Sequence, residues 1–369
     1  MKTIKIGSGS QTFSANKTDT DYVMTANKTI IADSFGIEAL GAARNREIEI
    51  NGDVHGATAA IRIGSADATA GPVALRIGEK AALDSNNNAV LSYGHGHSIF
   101  NSGEIVGTGA GIRAYGAQTI KNTGDINGST GVYLIELDGR GGTLRNSGII
   151  DGASSSVTCG QGNDRIVNTG ELHGDVFLGA GDDLFVFRSG VVNGNVAGGM
   201  GNDTYTLTLK GVEVVEAGGQ GWDTVHVAYD YGLTGNVEVL RLIGKADIDG
   251  AGNGDDNQIF GNSGDNVLIG GFGDDVIVGG RGDDILYGGF DTDQFYFSKG
   301  CGHDRVVDFE AGDEEIHLSG FRGATGFADM MANHVSEVDG DVWITYGKDV
   351  IMLSDVTISE LKGGDFVFM

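Results

Sequence analysis

Between Gly252 and Tyr296 the polar and apolar positions repeat every nine residues, five times in register: GNGDDNQIF, GNSGDNVLI, GGFGDDVIV, GGRGDDILY and GGFDTDQFY. Each segment opens glycine-rich and polar, carries Asp or Asn at its sixth position and a large apolar residue at its eighth. Side chains alternate across a strand. A three-residue strand therefore turns its middle residue inward, and the predicted inward row is Ile259, Leu268, Ile277, Leu286 and Phe295. The first six residues must turn sharply, which glycine permits because it tolerates positive φ and close backbone approach. Two nonapeptides complete one coil, so loops eighteen residues apart stack on each other. The period predicts a parallel β-roll.

Upstream the period lengthens but persists. CGQGND ends at Asp164, LGAGDD at Asp183, GGMGND at Asp203 and GGQGWD at Asp223, at intervals of 19, 20 and 20 residues. A second turn type recurs between them, at Asn168–Gly174 and Arg188–Gly194. The same turn appears earlier without an aspartate loop, at Asn101–Gly107, Asn122–Gly128 and Asn146–Gly152, with a weaker relative at Ile50–Gly56. This pitch, with β-branched residues between the turns, predicts a coil of two or three short strands. Asn101, Asn122, Asn146 and Asn168 should stack as an amide ladder.

Solenoid ends expose unpaired edges and need caps. Residues 1–45 are expected to form the N-terminal cap, with strands near Thr3–Ile6 and Thr29–Ala32 and a brief helix at Gly36–Ala43. Residues 301–369 are expected to form a strand-rich C-terminal cap with a helix at Gly326–Asn333. The expected fold is all-β: a right-handed parallel β-helix over 46–158 without metal loops, continuing into a calcium-binding roll over 159–300. One feature of the roll is anomalous. Val267, Ile269, Ile285 and Tyr287 point outward on one face, which predicts that the C-terminal module covers them through Trp343, Phe327 and Ile351, or else caps the roll.

The aspartate columns point to a metal. Calcium takes six to eight oxygens from carbonyls and carboxylates. Without a counterion, stacked aspartates would repel one another. The chain carries a net charge of −27, with 65 glycines and one proline, Pro72. Such acidity argues against nucleic acid or an anionic membrane as partner. Cys159 and Cys301 lack metal-ligand spacing, and two cysteines do not make a disulfide scaffold. No apolar stretch approaches membrane-span length, and MKTIKIGSGSQTF lacks an apolar signal core.

The nonapeptides resemble those of RTX, or hemolysin-type, calcium-binding proteins of Gram-negative bacteria. Residues 236–369 resemble the C-terminal domain of serralysin proteases and the repeat modules of alginate epimerases. The resemblance implies a ligand rule. One loop supplies carbonyls at positions 2 and 4 and the side chain at position 6, and the loop one coil later supplies carbonyls at 1 and 3 and its own position 6. So Gly271, Gly273 and Asp275 pair with Gly288, Phe290 and Asp293. Asn262, Gly264 and Asn266 pair with Gly279, Arg281 and Asp284, and Asn253, Asp255 and Asn257 with Gly270, Phe272 and Asp275. Asn257 and Asn266 depart from the pattern in lacking a carboxylate. The rule extends to Gly160, Gly162 and Asp164, to Gly179, Gly181 and Asp183, to Gly199, Gly201 and Asp203, and to Gly219, Gly221 and Asp223. Asp304, Asp308 and Asp313 resemble a further acidic cluster. The tail Asp365-Phe366-Val367-Phe368 resembles that of type I secretion substrates, which implies an extracellular protein without a cleaved leader.

No HExxH protease motif occurs. Glu136 and Asp138, with Arg140 and Arg145 nearby, and the pair His95 and His97 are the residues a catalytic site would use; solvated strand ends and a polar turn explain them more simply. The reading is a non-enzymatic, secreted calcium-binding solenoid with a structural or adhesive role. A polysaccharide lyase or epimerase on the β-helix is the alternative, and a self-assembling surface-layer protein a third. The expected partners are calcium, the type I secretion machinery, and either extracellular polysaccharide or the chain itself.

Overall fold

Short β-branched segments separated by glycine turns satisfy their backbone by pairing with the next coil, and this is how nearly every strand of the chain is used. The computed structural model describes residues 2–6, 8–9, 13–14, 20–40, 46–64, 71–135, 139–321 and 325–369. The fold is all-β and the strands form parallel β-solenoids. They fall into two units, Met1–Tyr205 with Gly211–Val215, and Thr206–Lys210 with Glu216–Met369.

In the first unit one ladder runs from Lys2–Ile6 through Thr20–Met24, Arg46–Ile50 and Val73–Ile77 to Ser98–Asn101. It continues through Thr119–Asn122, Thr143–Asn146 and Arg165–Asn168 to Leu184–Phe187. A second sheet supplies two strands per coil at first, such as Glu104–Gly107 and Ala110–Tyr115. From Asp125–Ile135 onward these two merge into one long strand with register shifts. Alternate residues such as Ile61, Ile99, Ile112, Ile126 and Val132 are fully buried. The asparagine ladder is present: each amide donates to the next side-chain oxygen, Asn101 to Asn122 at 2.8 Å, Asn122 to Asn146 at 2.9 Å and Asn146 to Asn168 at 2.9 Å. Asn101, Asn122, Asn146 and Asn168 are all buried.

The helix expected at Gly36–Ala43 is not formed where the chain is described. Phe35–Ala39 is a strand, and residues 41–43 lie outside the described residues. The physical reason is local. Ile37 and Ala39 are both fully buried two residues apart, a strand period. A Cβ on Gly36 would also lie 2.4 Å from Val54 Cγ1.

In the second unit two ladders face each other. One contains Val239–Leu242, Gln258–Phe260, Val276–Val278, Gln294–Ser298, Glu315–Ser319 and Phe366–Phe368. The other contains Gly250–Ala251, Val267–Gly271, Ile285–Gly289, His303–Val306 and Asp349–Leu353. The predicted inward row, Ile259, Leu268, Ile277, Leu286 and Phe295, is fully buried. The expected helix is Phe327–Asn333, preceded by Gly326.

Residues 301–369 do not fold over the outward face of the roll. Their strands lengthen both ladders edge to edge, and an antiparallel pair, Val335–Val338 and Asp341–Tyr346, follows on Asp349–Leu353. Ile269 and Ile285 stay 42% and 37% exposed, while Ile351 is buried within its own ladder. Backbone pairing at the open ladder ends takes these strands, so none is left to cover the face. Phe366 is buried and its ring lies 5.7 Å from Phe327.

Candidate metal centres

The sixth position of each loop is the residue immediately before an inward-facing strand, and it is buried in every coil. Asp275 Oδ1 accepts the N–H of Asn257 one coil earlier at 2.8 Å, and Asp293 Oδ1 accepts that of Asp275 at 2.9 Å. On the opposite ladder Asp284 accepts from Asn266 at 2.8 Å and Asp304 from Asp284 at 3.1 Å. In the first unit Asp164 accepts from Gly142, Asp183 from Asp164 and Asp203 from Asp183, at 2.6, 2.6 and 2.8 Å. One oxygen of each aspartate thus ties two coils together. The other, Oδ2, is buried without a hydrogen bond in Asp183, Asp275, Asp284, Asp293 and Asp304.

Glycine makes room for that second oxygen. A Cβ on Gly270 or Gly288 would lie 2.2 Å from Oδ2 of Asp275 or Asp293, and one on Gly279 would lie 2.4 Å from Oδ2 of Asp284. Gly271 and Gly273 adopt φ of 123° and 99°, conformations that side chains disfavour.

The electrostatics call for a counterion. Burial pushes Asp183 up to about 8 and Asp275 and Asp284 up to about 7. Asp293 and Asp304 rise to about 6, also through burial first. The coil-to-coil hydrogen bonds lower these values, and neighbouring carboxylates such as Asp256, Asp274 and Asp283 raise them again. A buried, unmatched carboxylate oxygen is costly unless it is protonated or coordinates a cation. Hard oxygen donors lining glycine turns suit calcium, so the residues present fit the ion.

The remaining predicted ligands fall into groups. Carbonyls of Asn253, Asn262 and Gly271 already accept N–H groups from Phe272, Arg281 and Phe290 one coil on, at 3.4, 3.2 and 3.0 Å. Asn257 and Asn266 turn their side-chain oxygens to the N–H groups of Asn253 and Asn262 in their own loops. Their amides donate upstream, to the Val237 and Ile248 carbonyls. Asp255 is exposed and accepts from Asn236 N–H at 3.0 Å. In the first unit Gly162, Gly179, Gly181, Gly199 and Gly201 all have positive φ, and Gly160 lends its carbonyl to Ala180 N–H at 2.9 Å. Gly264 leaves no room for a Cβ, which would meet the Ala246 carbonyl oxygen at 2.5 Å. Gly219 and Gly221 are exposed, Asp223 is buried, and Asp203 and Asp223 belong to different units.

Asp304, Asp308 and Asp313 are not one group. Asp304 continues the column of Asp284. Asp308 accepts the N–H groups of Gly288 and Gly289 at 2.9 and 3.1 Å. Asp313 is exposed, and its neighbour Glu314 is the buried one, accepting Glu310 N–H at 3.0 Å. Burial pushes Glu314 up to about 8, helped by Asp293 and Asp308. Sequence reasoning missed Glu314, as it missed Glu238, which accepts Asp223 N–H at 2.6 Å. Both follow irregular spacings. The signal that finds them is a carboxylate directly before an alternating apolar strand. A second column was also missed: fifth-position aspartates accept N–H groups from the following coil, as Asp256 does from Asp274 at 2.9 Å and Asp265 from Asp283 at 2.8 Å.

Of the catalytic candidates, Glu136 and Asp138 lie outside the described residues, and Arg140 and Arg145 are exposed. His97 is fully buried in the column before the strand Ser98–Asn101, where its Nδ1 accepts Val73 N–H at 2.9 Å and its Nε2 faces the Tyr93 carbonyl at 2.8 Å. His95 Nδ1 accepts Ala117 N–H at 3.1 Å. Both histidines connect coils.

Stacked glycine loops with buried aspartates on a parallel solenoid define a calcium-binding β-roll. Residues 251–286 and 269–300 match the RTX calcium-binding nonapeptide repeat (4 copies). Residues 251–300 thus carry RTX nonapeptide repeats, and such repeats bind Ca2+. Such repeats are typical of secreted proteins. No curated protein sequence matches the chain. Among solved structures the extracellular lipase LipA from Serratia marcescens is 19% identical with a TM-score of 0.32, over 69% of this chain and 40% of the lipase. The chain thus spans well under half of that protein's length. Among the described residues no helix is long and apolar enough to cross a membrane.

Proposed function

We propose that the protein is an extracellular β-solenoid whose aspartate columns fold around calcium after export by a type I route, and whose mature role is structural or adhesive rather than enzymatic. The observation that carries this is the set of five buried aspartates with an unmatched Oδ2. In calcium-poor cytosol these carboxylates repel and keep the chain loose. Outside, metal-binding free energy becomes folding free energy. The ions are held between loops one coil apart: Gly271, Gly273 and Asp275 with Gly288, Phe290 and Asp293; Asn262, Gly264 and Asn266 with Gly279, Arg281 and Asp284; and Asn253, Asp255 and Asn257 with Gly270, Phe272 and Asp275. The loops ending at Asp164, Asp183 and Asp203 act likewise, and Asp304 and Asp308 extend the acidic columns. The outward strip of exposed Ile269 and Ile285 with half-buried Val267 and Tyr287 makes the chain itself a second candidate partner.

The test is removal of calcium. Circular dichroism should show reduced β signal in excess chelator, restored by calcium and not by magnesium, with half-saturation in the range of about 10⁻⁴–10⁻³ M. A spectrum and a digestion pattern unchanged by chelator would refute the reading.

A further inference from the structure

The first unit carries a second surface, remote in sequence from the nonapeptides, that the calcium reading leaves unused. Arg62, Leu91, Arg113 and Tyr133 stand side by side on successive strands of one parallel sheet. Tyr93 and Tyr115 pair two residues further along the same strands. Alternate neighbours Ile61, Val90, Ile112 and Val132 are fully buried, so these side chains share the opposite, outward face. Tyr93 and Tyr115 stack with ring centroids 4.7 Å apart and planes within 3°. Arg62 lies over Phe35 and Tyr93 at 5.1 and 5.5 Å, and Arg113 over Tyr115 and Tyr133 at 5.6 and 5.0 Å.

The two arginines differ in one respect. Arg62 meets Glu38 at 3.5 Å. Arg113 has no carboxylate or hydrogen-bond acceptor among the described residues; the Nε of both arginines is buried without a partner. A guanidinium cannot shed its charge, and its planar fork matches a carboxylate with two parallel hydrogen bonds. Here two tyrosines hold that fork in place, with nothing among the described residues to receive it. The local charge permits an anion. Residues 1–150 hold 13 Lys and Arg against 14 Asp and Glu, whereas residues 151–369 hold 11 against 37. The acidic excess belongs to the calcium-loop half of the sequence, not to the half that bears this face.

We infer that this face binds an acidic polysaccharide. A uronate carboxylate takes the fork of Arg113, and the sugar hydroxyls meet the ring edges and phenol groups of Tyr93, Tyr115 and Tyr133, whose faces are taken up by one another and by the two arginines. Neighbouring strands repeat at about 4.8 Å, close to the advance of an extended glycan per ring, so Arg62 and Arg113 stand about two rings apart. A polymer laid across the coils meets a guanidinium at Arg62 and again at Arg113, with the buried Leu91 between them. A nucleic acid needs many phosphate contacts over a broadly basic surface, and two guanidinium groups do not provide one. The inference gives a ligand to the adhesive role proposed above, but its residues lie outside the calcium loops, so each can fail without the other.

The experiment titrates calcium-loaded, full-length protein calorimetrically with short oligogalacturonate and oligoglucuronate, chains too short to gel with calcium. The methyl esters and a single-stranded DNA oligonucleotide serve as controls. At least one free acid should bind, with its ester at least about tenfold weaker. Arg113→Gln should lose at least about tenfold in affinity, and Arg113→Lys should not restore it, because an ammonium lacks the fork. Tyr115→Leu, which keeps an apolar side chain at the stack, should also weaken binding. The calcium midpoint for folding should stay unchanged in all three variants, and Asp275→Ala should shift that midpoint while leaving glycan affinity intact once calcium is saturating. The inference is overturned if neither acid binds, if ester and acid bind alike, if Arg113→Gln binds as well as the parent, or if the DNA binds as tightly as the glycan.

Discussion

At the scale of single residues, the two oxygens of each sixth-position aspartate have opposite consequences. In Asp275, Oδ1 closes a coil-to-coil hydrogen bond and Oδ2 is left for a cation. Asp275→Asn keeps the oxygen that accepts Asn257 N–H but removes the charge. The metal-free fold should gain about 1–3 kcal/mol, because a buried unmatched carboxylate is relieved, while calcium binding weakens. Paired chelated and calcium-loaded melts test this, and a loss of stability in chelator would refute it. Asn257→Ala should shift the calcium midpoint less than Asp275→Ala, since the Asn257 oxygen is already taken by Asn253 N–H. Protons substitute for the ion. The folded-state values of Asp183, Asp275, Asp284, Asp293 and Asp304 lie at about 6 to 8, above the unfolded value of about 3.9. Their contribution to the metal-free fold is therefore fully present below pH about 4 and lost as pH rises through about 6 to 8. Chelated protein should melt higher at pH 5 than at pH 8, and calcium should reverse that order. A chelated melting temperature that rises with pH would contradict it.

At the scale of elements, two ladders hold coils together by different chemistry. The asparagine ladder needs no ion, because an amide both donates and accepts. Asn122 donates to Asn146 Oδ1 and to the Gly124 and Ile149 carbonyls. Asn122→Asp puts a charge where donors are required and should cost about 3–5 kcal/mol, equally with and without calcium; a loss rescued by calcium would show that an ion had entered the ladder. The aspartate ladder is the reverse case. Much of both was legible in the sequence, because strict spacing fixes register. The nine-residue period placed Ile259, Leu268, Ile277, Leu286 and Phe295 inside, and the recurring Asn-x-Gly turns placed the amides. Spacing failed where loops change length. Glu238 follows Asp223 by 15 residues, so a period of eighteen passes over it; Asp304 follows Asp284 by 20, and in the sequence it stands out as part of an acidic cluster rather than as the next residue of that column. Composition misled at Phe35–Ala39, where small residues invited a helix although close coil contact at Gly36 demands a strand. The asparagines that open the nonapeptide columns look like weakened ligands in sequence. In the fold their amides serve a second purpose, donating to carbonyls of the preceding coil as no carboxylate can.

At the scale of the whole molecule, dependence on calcium should change along the chain. Coils before Cys159 are tied by backbone pairing, buried aliphatic residues and amides that satisfy one another. From Asp164 onward most coils add a buried aspartate to the columns, Asn257 and Asn266 being the exceptions, and 37 of the 51 acidic residues lie in residues 151–369. A parallel solenoid is stabilised mainly between neighbouring coils, so it can lose coils from one part while others persist. Limited proteolysis in chelator should therefore cut first within residues 160–369 and leave a protected fragment containing the asparagine ladder, whereas calcium-loaded protein should resist throughout. Phe366→Ala offers an independent check on the far end. Its ring is buried beside Phe327 in the last strand of a ladder, and its loss should cost about 3 kcal/mol. In a calcium titration that cost should appear as a higher midpoint for the region beyond residue 160, with no change in protection of the asparagine ladder. Fragments that begin with cleavage inside residues 98–135, or complete digestion at one rate along the whole chain, would show that the coils unfold as a single unit and that calcium governs all of them.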